Sequence, residues 1–438
     1  MSDFTSGRVL ASRYVVWALL SLLVGGPTLG LFAAYDAATD GSLNLQYPIF
    51  TTHCWLTLMG WCVPVMFALV FWLLPILKEA PLGRSRIPSL CLVFLVVPTL
   101  GLPAYLFLSH GGYASLYILP LVWGLYLIAG ILYAMVVWHI TNRTLRPTAT
   151  DLGIQAGSVW LLLVLGVRAI VALGAMATGR HDFVASSDAA IRFAMLFGFI
   201  GNTGLALAVA VAPPFLGTAH PRARVLTSFR IYNAAVAIWC GGAAWVLPHP
   251  FSWGRLLLTM AGFGFAYGVL RLLLDLRLPE LLLFTTHGAR RKLTCTALAT
   301  GAIMMIVAAV IIAVVGTWSA GTLTAAPAEL VALPMHLMAV GLFTNLVLAL
   351  YIPVSGPRSM VHVKGVMAWG AYILLTAWLI AKIAAAVLGI IVRAPLWAER
   401  YTIGWAVGAG MFLLALWLLA ALSTGQRTKK KKTQASGA

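Results

Sequence analysis

Acidic side chains are scarce in this chain. Asp and Glu together number 11 in 438 residues, and charged residues of both signs make up only 9%. No soluble domain of this length is so poor in charge, and the hydrophobic share has risen to 61% in its place. Cysteine is also sparse. Cys54, Cys62, Cys91, Cys240 and Cys295 contain no CxxC pair and lie in or beside apolar runs, which excludes a disulfide framework or a thiolate metal site. They are expected as small buried packing residues. No long polar stretch interrupts the chain, so residues 1–438 read as a single membrane domain. A cleavable signal peptide is not expected, because Met1 to Arg13 is short and mildly polar and the apolar run after it is long enough to span.

What is abundant is apolar sequence in blocks of about twenty residues or more, the length a helix needs to cross hydrocarbon. These blocks fall near 12–35, 49–76, 87–109, 114–141, 154–178, 189–215, 225–247, 254–274, 293–317, 329–353, 366–392 and 401–424. The expected fold is therefore all-α, a polytopic bundle of about twelve transmembrane helices.

Basic residues collect on alternate links. Arg8 and Arg13, Lys78 with Arg84 and Arg86, Arg143 with Arg146, Arg222 with Arg224, the segment Arg271 to Lys292, and Arg358 with Lys364 share one side. The opposite links 36–48, 110–113 and 318–328 hold no Lys or Arg. The positive-inside rule makes the basic side cytoplasmic, with both termini there and the even-numbered spans running inward. The tail 425–438, with its run Lys429 to Lys432, reads as a topology anchor. The net charge of +18 thus reports topology in a lipid bilayer, with no nucleic-acid partner.

Intramembrane polar groups are where function is expected. His53 stands about five residues into span two, in "YPIFTTHCWLTLMGW", and His336 about seven residues into span ten, in "AELVALPMHLMAVGLF". Both spans descend from the outer face, so both imidazoles lie roughly 7–11 Å below it. Two neutral imidazoles at one depth can clamp an iron porphyrin. Equally, they can be unrelated residues, each bonded to a nearby carbonyl. The outer half also holds Arg168, Arg192 and Lys382, with Arg393 and Arg400 in the last outer link; acids there are Asp182, Asp188, Glu329 and Glu399. Such cations either snorkel outward or meet an anionic ligand such as heme propionates.

Histidines early in spans two and ten of about twelve make the chain resemble subunit I of the heme-copper oxidases and nitric oxide reductases. "LLSLLVGGPTLGLFAA", "THCWLTLMGW…FALVFWLLP" and "MHLMAVGLFTNLVLALYIPVSGP" are similar to the matching helices of that superfamily. The resemblance implies an oxidase subunit I-like bundle with one low-spin heme b ligated by His53 and His336. It also implies Arg393 and Arg400 as propionate partners, and an electron-donor protein or partner membrane subunit. Other features depart from the superfamily. The place of its high-spin heme ligand is Pro334, span six has no histidine, and after span seven only His249 remains, beside Pro250. Copper and a binuclear oxygen-reducing centre are therefore not expected, and carboxylate relays for proton pumping are missing from the inner parts of the spans. The pieces "LFGFIGNTGLALAVAVAPPFLG" and "LPMHLMAVGLFTNLVLAL" also resemble the NnrS membrane proteins, heme- and copper-containing and associated with the response to nitric oxide. Their "GHTGR" segment is here "SGPRSM".

Elsewhere, Gly166, Gly198, Gly201 and Gly204 read as close-packing positions. Trp17, Trp55, Trp61, Trp245, Trp253 and Trp397 read as an aromatic belt, and His110 and His181 as outer-face residues. Two function classes follow. One is a heme b protein of the bacterial cytoplasmic membrane, in electron transfer or nitric oxide handling. The other is a secondary transporter using the histidines with Arg168 or Lys382 for substrate, which should carry internal repeats.

Overall fold

A computed structural model describes residues 2–29, 52–82, 86–109, 114–143, 148–179, 188, 190–211, 222–246, 252–277, 289–322, 333–351 and 361–392. They form helices and no strand. We number them α1 (Ser2–Leu23, continued by Val24–Thr28), α2 (Thr52–Leu77), α3 (Arg86–Ser109), α4 (Ala114–Thr141), α5 (Ala149–Thr178) and α6 (Ala190–Ala210). The second half supplies α7 (Arg222–Val246), α8 (Ser252–Asp275), α9 (Ala289–Thr322), α10 (Leu333–Leu350) and α11 (Val361–Val392). Among the described residues, nine helices are long and apolar enough to cross a membrane. The expected span at 401–424 lies outside the described residues. Helix α1 begins ten residues before the apolar run, because Leu10, Ala11 and Tyr14 pack inward and Tyr14 donates to the Pro88 carbonyl.

Three helices form the centre. In α2, α6 and α10, 89% of the most apolar stretch is buried, against 28–67% in the other six membrane-length helices. They meet one another directly: Trp61 of α2 packs edge-on against Phe343 of α10 at 5.8 Å, and Phe67 of α2 against Phe199 of α6 at 6.1 Å. Each carries a π-helical stretch near its head, at Leu56–Cys62, Ala194–Gly201 and Leu337–Leu342. Such stretches are rare and concentrate at functional sites.

The same local construction recurs in all three. Gly60, Gly198 and Gly341 each sit in the π-helical stretch and face the helix that precedes it in sequence. A Cβ there would stand 2.7 Å from Ser21 Cβ of α1, 2.6 Å from the Trp160 ring of α5 and 2.8 Å from Met304 Cβ of α9 respectively. Four residues on, Asn202 and Asn345 donate their side-chain amides to the Gly198 and Gly341 carbonyls at 2.6 and 2.5 Å. In α2 the corresponding residue is Pro64. The bundle thus contains a repeating pair, an outer helix and a glycine-bearing central one, used three times.

Replacement of Gly198 by alanine is expected to cost about 1–3 kcal/mol, since the added carbon overlaps the Trp160 ring and would displace its hydrogen bond to Asn233. Gly166 was expected to pack closely too, yet nothing lies within 4 Å of a Cβ there. Gly166→Ala should be neutral or gain up to about 1 kcal/mol from helix propensity. Thermal unfolding in detergent compares the two variants, and equal shifts would contradict the packing.

The far end of the bundle is held by an ion pair between helices. Lys78, at the end of α2, reaches Asp151 Oδ2 at 2.5 Å, and both side chains are buried. Asp151 is also half of a capping box: it accepts from the Thr148 backbone at 2.7 Å, while the Thr148 hydroxyl accepts from the Asp151 N–H. The carboxylate therefore fixes both the start of α5 and its distance from α2.

Candidate functional site

His53 stands one residue inside the head of α2. Its Nδ1 lies 2.7 Å from the carbonyl oxygen of Gly25, in the π-helical stretch that ends α1. The approach depends on glycine, because a Cβ at Gly25 would lie 2.3 Å from Leu56 Cβ. A carbonyl can only accept, so this contact makes Nδ1 the protonated nitrogen and Nε2 the one that carries the lone pair. The contact realises, for His53, the carbonyl bond considered as the alternative to metal ligation. On an imidazole with two nitrogens the bond and the ligation are complementary, and such a carbonyl commonly orients a ligating ring.

His336 stands immediately before the π-helical stretch of α10. Its ring packs against that of Trp378 in α11 at 5.7 Å and 61°. Lys382, one turn further along α11, holds its Nζ 5.0 Å above the same indole. A side chain of α11 therefore stands against the head of α10. Both imidazoles are partly exposed, although Trp55, Leu56, Leu333 and Leu337 beside them are buried.

A buried charged node adjoins them. Asp188 takes the Trp55 indole N–H at 2.8 Å, Arg168 at 3.0 Å and Arg192 Nε at 3.0 Å. The Arg168 guanidinium lies between the Trp55 and Trp123 rings, 5.1 and 5.0 Å from their centres, and those two rings meet edge-on. Arg168 and Asp188 are each 2% exposed and Arg192 is 7% exposed. Outward snorkelling of Arg168 is thereby corrected: the side chain turns inward because a carboxylate and two indoles await it. Trp55 and Trp61 are corrected likewise, since both are buried core residues rather than members of an aromatic belt. Four cysteines are buried and Cys54 partly so, all with free thiols.

Two of the expected site residues are described: His53 stands seven residues before Gly60 in α2, and His336 five residues before Gly341 in α10. Arg393, Arg400, His110, His181 and His249 lie outside the described residues. Among the described residues no group of three or more His, Cys, Asp or Glu gathers to hold a metal ion. An iron already held by four porphyrin nitrogens needs only two protein ligands, so a bis-imidazole site would not register as such a group. The donor set suits that chemistry: two imidazoles, one with its tautomer fixed, and cations for an anionic periphery. Sequence reasoning did not reach the Gly25 carbonyl against His53 or the Trp378 indole against His336. A carbonyl or an indole carries no signal until its helix is placed.

Compared with models of protein families and with curated protein sequences, the chain matches none.

Proposed function

We propose that this chain is a heme b protein of the bacterial cytoplasmic membrane. It has about twelve spans arranged as an oxidase subunit I-like bundle, with both termini on the cytoplasmic side. His53 and His336 are the axial ligands of one low-spin heme. The observation that carries the reading is the pair of partly exposed histidines near the heads of two buried helices, with His53 Nδ1 turned onto the Gly25 carbonyl. When bound, the heme supplies reversible one-electron chemistry. The chain's own residues orient the rings, exclude water through the packed central helices and provide positive charge nearby.

Electron transfer and nitric oxide handling both fit such a site, with an electron-donor protein or partner membrane subunit supplying reductant. Arg393 and Arg400 remain part of the proposal as propionate partners. The transporter reading draws no support from the recurring helix pairs. They number three and stand four helices apart, so in an alternating bundle they run in the same direction, whereas inverted transporter repeats come as two opposed halves.

The purified protein should carry one protoheme per chain, with sharp α and β bands on reduction by dithionite. Copper should be substoichiometric, and oxygen uptake with artificial donors close to background. Folded protein without Soret absorbance would end the heme reading; stoichiometric copper would mean that the ligand set is misread.

A further inference from the structure

We infer that Trp55 and Thr57 are positioning residues for the His53 ligand. The indole, bonded to Asp188, and the hydroxyl, bonded to the His53 carbonyl, lock the turn of α2 that carries the ring and so set the plane in which that imidazole meets iron. The inference rests on the heme reading above and deepens it by naming what holds one ligand in register.

Three contacts converge on that turn. Ahead of its π-helical stretch, the described part of α2 is short, Thr52–Trp55. On one side, His53 Nδ1 lies 2.7 Å from the Gly25 carbonyl oxygen of α1. Residues two apart on a helix point about 200° from each other, so Trp55 leaves the opposite side of the turn. There its Nε1–H donates to Asp188 Oδ1, two residues before α6, at 2.8 Å. Along the axis, the Thr57 hydroxyl donates to the His53 carbonyl at 2.8 Å and ties the turn to the π-helical stretch below it. Rotation of the turn about the helix axis would have to break the two lateral bonds together.

The bond of Trp55 is made to a carboxylate, and both residues are buried, so no water stands ready to replace it. The ring itself is wedged edge-on against Trp123 at 4.6 Å, with the Arg168 guanidinium 5.1 Å from its centre. Bulk fills the space, and the N–H supplies direction. The two can be separated, because Arg168 also holds the accepting oxygen, Asp188 Oδ1, at 3.0 Å. Trp55→Phe therefore removes the grip on the turn without leaving that oxygen bare. The same helix offers a control. Trp61 is equally buried, and its Nε1 has no hydrogen-bond partner among the described residues.

The test compares Trp55→Phe, Thr57→Val and Trp61→Phe in the full chain purified with its heme. Electron paramagnetic resonance of the ferric form is recorded, together with the rate of heme transfer to excess apomyoglobin. The g values of a bis-imidazole ferric heme report the angle between the two ring planes, which a loss of stability alone does not move. Trp55→Phe and Thr57→Val should each shift or split the low-spin signal. Trp55→Phe should also speed heme transfer by about tenfold, the lower end of the range for groups that support a metal ligand. Trp61→Phe should keep the signal and the rate of the unaltered protein. An unmoved signal in Trp55→Phe or in Thr57→Val, or an equal shift in Trp61→Phe, would overturn the inference and leave the heme reading standing. Unaltered protein that folds without heme would remove the heme reading, and this inference with it. If Trp55→Phe yields no folded protein, Thr57→Val against Trp61→Phe decides: a shift confined to the valine variant supports the inference, and any other pattern contradicts it.

Discussion

Alanine at His53 or at His336 will remove most of the bound heme or leave a five-coordinate, high-spin species. On the proposed reading each ring would supply one of the two protein bonds to iron, and the remaining imidazole could not complete the low-spin field alone. Millimolar imidazole should restore part of the low-spin spectrum by entering the space left behind. The effect should be largest at His53, whose Nδ1 contact to Gly25 holds the ring in place before the metal arrives. Propionate partners behave differently, since they orient the cofactor without bonding iron. Alanine at Arg393 or Arg400 should therefore retain a low-spin spectrum and lower the reduction potential. Unchanged heme content and spectrum in both histidine variants would remove the assignment, whatever the arginines did.

Asp188→Asn will be among the most destabilising single substitutions in the chain. The carboxylate stands between two guanidiniums, and all three groups are nearly inaccessible. Removing one partner of a buried ion pair typically costs about 3–5 kcal/mol, because the charge left behind has lost its compensation. Here two guanidiniums would lose the carboxylate they share. Trp55 would also exchange an anionic acceptor at 2.8 Å for a neutral one. Adding Arg168→Met to Asp188→Asn should recover part of the loss, as one of the opposed charges is then gone, and the two changes should not sum. Thermal unfolding in detergent measures both. A shift for Asp188→Asn no larger than that of a surface substitution would mean that the node does not hold the helices together.

The helices themselves were readable from the sequence because the bilayer imposes a length on apolar runs. Residues 114–141 were marked from hydropathy alone, and the helix is Ala114–Thr141. Helix starts were less legible where amphipathic sequence packs on a neighbour, as at Ser2–Arg13. The histidines could be found because ionisable groups in apolar runs are conspicuous. Their surroundings could not. A count of cations and acids left Arg168 short of a partner, yet the single carboxylate of Asp188 serves two arginines once α5 and α6 lie side by side. Trp55 and Trp61 were read by their distance from a span end, while their burial follows from α2 being a central helix. The π-helical stretches were invisible for a different reason. They change which carbonyl meets which N–H without altering composition or length, and in a helix apolar on every face no periodicity exists to be disturbed.

Those stretches have a consequence for the phase of the central helices. A π-helical turn closes its hydrogen bonds one residue later than an α-helical turn, so the chain carries one residue that an uninterrupted helix would not need. One residue is worth about 100° of azimuth on a regular helix. The head of α2, with His53, is thereby rotated independently of the body, where Phe67 and Phe71 pack against Tyr14 and Tyr133. The body can keep the angle that packing demands while the head takes the angle that puts its imidazole on the Gly25 carbonyl. Deleting a single residue between Leu56 and Cys62 would leave hydropathy and span length almost untouched, and with the body held in place it would swing His53 by about a quarter turn away from that carbonyl.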